Sequence, residues 1–330
     1  MSKASLRFLS DDDIRRALPM AEAVQVMKDV FAAVSRGQVV MPLRQHLEIP
    51  EHQGIVLFMP SYLPRQGCVG MKTITLFGRN PAAGLPRIQA MVLLFDAANG
   101  RPLAVLEGTC LTALRTGAAC GAATDLLARA DSSRVAILGA GVQARTQLEA
   151  VRAVRAIRQV MIHDVSASPA AAFAAELEAD QGLVVRVAAS AAQAVADAEI
   201  ICAATTSATP VFADRDLRPG VHINAIGSYQ PKVQEISAET VIRARVVVDH
   251  RESALAETGD LIIPIQQGLF SADRIHAELG KIVASTKLGR QSTEEVTFFK
   301  SVGLAVQDAA AAAAALKKAE ELGLGTVVGL

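Results

Sequence analysis

The apolar and polar positions of the first 130 residues change rhythm twice. In "SDDDIRRALPMAEAVQVMKDVFAAVSRGQ" the residues Ile14, Ala17, Val24, Met27, Val30 and Phe31 recur near helical spacing behind an acidic start, which predicts two helices. The β-like runs "GIVLFMPSYL", "CVGMKTITLFG" and "IQAMVLLFDAANGRPLAVLEG" follow, punctuated by Pro, Gly and Asn, with "DAANG" reading as a hairpin turn. They predict an antiparallel sheet. Helical spacing returns in "TCLTALRTGAACGAATDLLARA", and from Arg134 short apolar runs alternate with helical stretches: "RVAILG", "QVMIHDV", "VVRVA", "AEIICAATT", "VHINAIG" and "ARVVVDH". That alternation predicts a parallel, doubly wound sheet. The alanine-rich tract "DAAAAAAALKKAEELG" predicts a close-packed C-terminal helix.

Composition narrows the partners. The 33 basic and 33 acidic residues leave a formal net charge of zero, so no long-range field draws nucleic acid or anionic lipid. Cys68, Cys110, Cys120 and Cys202 are scattered, without a CxxC pair or a zinc-finger spacing, which suits free thiols in a reducing cytoplasm. No apolar run approaches the ~20 residues that span a bilayer, and the N-terminus lacks the layout of a signal peptide. The expectation is a cytoplasmic protein with no nucleic-acid, membrane or metal partner. No GxSxG elbow, HExxH or P-loop is present, and the histidines form no helix-spaced ligand pair.

One stretch carries specific chemistry. A GxGxxA match is common by itself, but in "VAILGAGVQARTQLEAV" it joins an apolar strand to a helix. Gly139 can then make the tight turn, Gly141 can admit a pyrophosphate to the backbone, and Ala144 allows the helix to pack closely. Val142 and Gln143 complete the turn at a helix N-terminus, whose unpaired N–H groups favour phosphate. About 20 residues on, Asp164 ends the next strand, where a carboxylate accepts from the ribose hydroxyls and repels a 2′-phosphate. No Arg follows in "VSASPAA", so NAD is favoured over NADP. The same aspartate could instead cap the helix starting near Ser168. Thr205 and Thr206 in "AATTSATPVF" and Ser228 in "NAIGSYQP" lie in loops at strand ends, where coenzyme and substrate meet in such sheets.

The fold class expected is α/β: a Rossmann-type doubly wound parallel sheet domain plus an α+β substrate-binding and dimerisation domain. The latter takes residues 1–128, completed by a C-terminal helix over 309–330, and the dinucleotide-binding domain takes 129–308.

Segments along nearly the whole chain together resemble the ornithine cyclodeaminase/mu-crystallin family. They are "MPLRQHLEIP", "FMPSYL", "GMKTITLF", "GLPRIQAMVLLFDAANGRPLAVLEGTCLTALRTGAACG", "VAILGAGVQA", "NAIGSYQP", "VVVDHRESALAETGDL" and "GRQSTEEVTFFKSVGLAVQDAAAA". The resemblance implies NAD-linked hydride chemistry at the α-carbon of an amino acid, and a homodimer in which first-domain sheets pair between subunits. It implies that Arg44, Lys72 and Arg115 hold the substrate carboxylate, with Lys72 also placed to donate a proton. "KSVGLAVQD" is similar to the family's segment near the nicotinamide, which marks Ser301 and Gly303 for close approach, while Asp308 reads as structural. In the cyclodeaminases an aspartate after the glycine of "NAIG" is thought to deprotonate the side-chain amine; Ser228 stands here instead. The function expected is an NADH-dependent reductase of a small α-imino or α-keto acid, running reversibly as an amino-acid dehydrogenase. A cyclodeaminase with bound NAD and a non-catalytic binding protein are the alternatives, and the substrate's side chain stays open.

Overall fold

The computed structural model describes residues 5–178, 180 and 182–330. The chain divides into two compact units, Met1–Arg115 with Leu304–Leu330, and Thr116–Gly303. The divides expected from sequence lay after residues 128 and 308; the first observed one falls inside an uninterrupted helix, Gly108–Leu127. Among the described residues no helix is long and apolar enough to cross a membrane.

The first unit holds β1 (Ser5–Leu9), α1 (Asp11–Ala17), α2 (Met20–Ser35), β2 (Gln45–Ile49), β3 (Gly54–Leu63), β4 (Cys68–Phe77), β5 (Ile88–Asp96), β6 (Pro102–Glu107) and the start of α3 (Gly108–Leu127). Both early helices form as the spacing predicts. Ser10 and Asp13 cap α1 reciprocally, and Val24, Met27, Val30 and Phe31 of α2 are buried. The seven-stranded sheet runs β15 (Thr326–Gly329), β1, β6, β5, β4, β3, β2. It is antiparallel from β2 to β6, but β1 lies parallel to β6, so the sheet is mixed where an antiparallel one was expected. Strand β1 is five residues long, too short for its period to show in the sequence.

The C-terminal helix α11 spans Ala305–Leu322, and not the 309–330 expected. Gly323 ends it in a left-handed conformation at φ 65°, and the β-branched run after Gly325 pairs as β15 (Thr326–Gly329) with β1. Helix α11 packs on β3, β4 and β5 and buries most of its alanines. Gly70 of β4 makes the notch for it: a Cβ there would lie 2.4 Å from the Cβ of Ala309.

The second unit begins in α3 and continues through β7 (Arg134–Leu138), α4 (Val142–Val154), β8 (Gln159–His163), α5 (Ala167–Leu177), β9 (Val184–Val187), α6 (Ala191–Val195) and β10 (Ile200–Ala203). It goes on through β11 (His222–Ala225), α7 (Ala238–Arg243), β12 (Arg245–Val248), α8 (Arg251–Glu257), α9 (Gly259–Gln266), β13 (Ala277–Glu278), α10 (Leu279–Val283) and β14 (Thr297–Lys300). Its eight strands are all parallel, in the order β13-β12-β14-β11-β10-β7-β8-β9. Covered on both faces, the central strands read as continuous apolar runs. Strands β13 and β14 were not foreseen: the first has two residues and the second ends in a lysine. The winding reverses between β7 and β10, and the carboxyl ends of those two strands flank the crevice where such sheets bind ligands.

Candidate active site

In the first unit the alternation of β4 turns Gly70 and Lys72 to the same side of the sheet, the side on which α11 packs. Lys72 is 3% exposed, Arg115 of α3 5%, and Asp308 in the first turn of α11 1%. Asp308 joins the two cations: its Oδ2 lies 2.7 Å from Lys72 Nζ, and its Oδ1 accepts from Arg115 Nε at 3.0 Å. Arg115 Nη1 also donates to Gln307 Oε1 at 3.2 Å, and the same oxygen accepts from the Leu304 N–H.

Burial pushes the Lys72 ammonium down to about 8; Asp308 opposes this, while Arg115 and Arg44 add to it. Arg44, half-buried just before β2, is therefore within electrostatic reach of Lys72. Burial would raise the Asp308 carboxyl, but the Arg115 guanidinium and the Lys72 ammonium hold it below the usual carboxylate range. Lys72 and Arg115 against one carboxylate leave a net positive charge in a dry place, which is what a substrate carboxylate requires. Asp308, expected to be merely structural, is the centre of the cluster. Its signal in the sequence is the polar pair "QD" opening an otherwise alanine-rich buried helix.

In the second unit Gly139 has φ 86°, a conformation that favours glycine, and a Cβ would meet the Ala204 carbonyl at 2.7 Å. Gly141 has open space at its Cβ position and caps α4 without a side-chain hydrogen bond, so the first N–H groups of the helix have room for phosphate. Ala144 is buried, Val142 is exposed, and the buried Oε1 of Gln143 finds no hydrogen-bond partner among the described residues. Asp164 Oδ2 accepts from the Ala140 N–H and Oδ1 from the Ser166 N–H, each at 2.8 Å. Each oxygen keeps a lone pair free for a ribose hydroxyl, while the carboxylate is locked onto the glycine loop. These residues fit a dinucleotide.

The remaining candidates sit in loops held by buried carboxylates. Thr205 donates its N–H and its hydroxyl to Glu235 Oε1, and Thr206 beside it is exposed. Ser228 is buried and gives its hydroxyl to the Val233 carbonyl at 2.5 Å, with Thr258 Oγ1 at 3.0 Å. Ser301 donates to Asp249 Oδ2, which also accepts the Val302 and Gly303 N–H groups. Sequence reading missed Glu235 and Asp249, since nothing marks an isolated acid as the anchor of a loop remote in sequence.

The chain can be set beside known proteins on these features. A family model described as ornithine cyclodeaminase/mu-crystallin matches residues 6–322. A Δ1-pyrroline-2-carboxylate reductase of Bacillus cereus is 41% identical over 318 residues, 96% of this chain and 98% of that one. The solved structure of Thermococcus litoralis Δ1-pyrroline-2-carboxylate reductase, in complex with NADH and L-proline, is 42% identical. It matches with a TM-score of 0.93 over 97% of this chain and 99% of that one. An archaeal alanine dehydrogenase, solved as a dimer with bound NAD, is 34% identical with a TM-score of 0.92 over 99% of both chains. The chain belongs to the ornithine cyclodeaminase/mu-crystallin family.

Proposed function

We propose that this protein is an NAD(H)-dependent reductase of small α-imino acids, with Δ1-pyrroline-2-carboxylate as the first substrate to test. The observation that carries the reading is the buried cluster of Lys72, Arg115 and Asp308 in a chain that also holds a complete dinucleotide loop. Identity of 41–42% to reductases of that imine supports it.

Arg44 and Arg115 take the substrate carboxylate, and a planar guanidinium fixes its angle as well as its charge. Bound NADH supplies a hydride to the imine carbon. The C=N π pair then moves to nitrogen, which takes a proton from Lys72 Nζ; solvent returns that proton afterwards. In the reverse direction neutral Lys72 accepts the proton of the amine. Gly139, Gly141, Val142, Gln143 and Ala144 hold the pyrophosphate and Asp164 the adenosine ribose, selecting NADH over NADPH. Thr205, Thr206 and Ser301 serve the nicotinamide half, and Ser228 is assigned to substrate binding. The first unit, residues 1–115 with 304–330, binds substrate and forms the homodimer, and the second, residues 116–303, binds the dinucleotide. Four buried free cysteines suit a cytoplasmic enzyme.

Ser228 also separates this reading from a cyclodeaminase. Its hydroxyl is engaged by the Val233 carbonyl, and a hydroxyl cannot act as a base near neutral pH. The test is NADH oxidation with Δ1-pyrroline- and Δ1-piperideine-2-carboxylate, with mixtures forming iminosuccinate, and with pyruvate plus ammonia. NADPH and the substrates ornithine and lysine complete the panel. Turnover of preformed imines with NADH, without ammonia release from ornithine or lysine, is expected. Proline formed from ornithine at a comparable rate overturns the reading, and equal kcat/KM with NADPH overturns the role of Asp164.

A further inference from the structure

A buried charged cluster stands behind the loops that follow β10 and β11, and the proton and hydride steps make no use of it. Glu235 is 0% exposed. Its Oε1 accepts the Thr205 N–H at 2.6 Å and the Thr205 hydroxyl at 2.8 Å, and its Oε2 accepts the Gly227 N–H at 2.9 Å. One carboxylate thus ties two loops that leave adjacent strands. Glu235 is fixed in turn: its own N–H and that of Ile236 donate to Asp260 Oδ1 at 2.6 and 3.0 Å. Asp260 Oδ2 pairs with Lys300 Nζ, at the end of β14, at 2.9 Å, and both residues are 0% exposed. Gly227 is what lets the loops close on the carboxylate, since a Cβ there would lie 2.3 Å from the Thr205 carbonyl and 2.4 Å from Glu235 Oε1.

Burying three ionisable groups is a costly way to hold a loop, because well-packed apolar residues often stabilise as well or better. What a hydrogen-bonded charge adds is a fixed direction for each backbone group it holds. The loop begins at Ala204, whose carbonyl lies against Gly139 of the pyrophosphate turn. The glycine turn and Asp164 provide for the pyrophosphate and adenosine, which leaves this loop and its neighbour for the nicotinamide half.

We infer that Glu235 is a positioning residue that sets the Thr205 and Gly227 loops in their coenzyme-receiving arrangement before the coenzyme binds, with Asp260 and Lys300 fixing Glu235. The inference rests on the coenzyme reading above. Order established in advance lowers the entropy lost on binding, so losing it weakens the nicotinamide half of the ligand alone.

Two measurements test it. Calorimetric titration of the Glu235→Gln protein, whose amide turns a donor toward groups that are themselves donors, is expected to show NADH weakened at least about tenfold and ADP-ribose changed less than about twofold. Equal weakening of both ligands, or neither weakened, overturns the inference. Hydrogen exchange on the wild-type protein, read at single amides, is expected to show Thr205 and Gly227 already slowed about a hundredfold without ligand and changed less than about twofold by NADH. Fast exchange that becomes slow only with NADH overturns it, even if the variant does not fold. Wild-type protein that binds neither ligand overturns the coenzyme reading itself, and this inference with it.

Discussion

At the scale of the residue, Lys72 connects burial to rate. A lysine lowered to about 8 is charged below that pH and neutral above it. Imine reduction needs the charged form as proton donor, so kcat/KM is expected to be level below pH 8 and to fall about tenfold per unit above it. Amine oxidation needs the neutral form and should rise through the same region. Lys72→Arg keeps the charge but does not titrate, so the limb near 8 should vanish along with most of the activity. The imine's own titration is common to both enzymes and cancels in their ratio; a limb retained by the variant assigns it to another group. Arg115→Ala leaves buried charge without its partner and should cost ~2–5 kcal/mol in kcat/KM. It also removes one cause of the low Lys72 value, so the alkaline limb should move upward. NADH affinity, assigned in the proposed function to residues of the second unit, should stay within about twofold; titration of the variant with NADH checks this. Weakened NADH with an intact substrate KM places Arg115 in the wrong role.

At the scale of the element, the cluster depends on how closely α11 approaches β4. Gly70 is two residues from Lys72 on the same face, and Ala309 adjoins Asp308 in the helix. Gly70→Ala puts a methyl group within 2.4 Å of Ala309 Cβ, so helix or strand must move. Overpacking of this kind costs ~1–3 kcal/mol, and thermal unfolding is expected to show a Tm lower by several degrees. The shift draws Asp308 from Lys72, so kcat/KM should fall and the alkaline limb should move below pH 8, because Asp308 is what raises Lys72. An unchanged limb in a destabilised variant would mean that the helix adapts without disturbing the pair. The same elements show what a sequence discloses. Strands β3 and β4 are legible because each is a ten-residue apolar run bounded by punctuation, and the glycine turn because three small residues fall at a strand-to-helix junction. Strand β1 is too short to show a period, β13 has two residues, and β14 ends in a lysine. Lys72 and Arg115 were marked by the family resemblance, not by local spacing. The pair "QD" marks Asp308 as polar in a buried helix, but its partner Arg115 lies 193 residues away, and no local pattern encodes that contact.

At the scale of the whole molecule, the seven-stranded sheet has two apolar faces but only one covered by α11. Along β5 the residues Ala90, Val92 and Leu94 are buried beneath the helix, and Met91, Leu93 and Phe95 point the other way. Register carries that second face across the sheet, with Met91 opposite Thr73, Thr73 opposite Phe58, and Leu47 opposite Val56. Met91 is 56% exposed and Leu47 52%. A solvated face of an antiparallel region is ordinarily polar, and exposed apolar side chains grouped on one mark an interface. A second copy of this chain, the partner proposed above, suits it, because a two-fold axis lets one face meet itself. Sedimentation velocity at micromolar concentration should therefore give a dimer. Met91→Asp places a charge on this face and should shift the protein to monomer while the fold, followed by circular dichroism, persists. A wild-type monomer overturns the assembly, and a dimer indifferent to Met91→Asp moves the interface to another face.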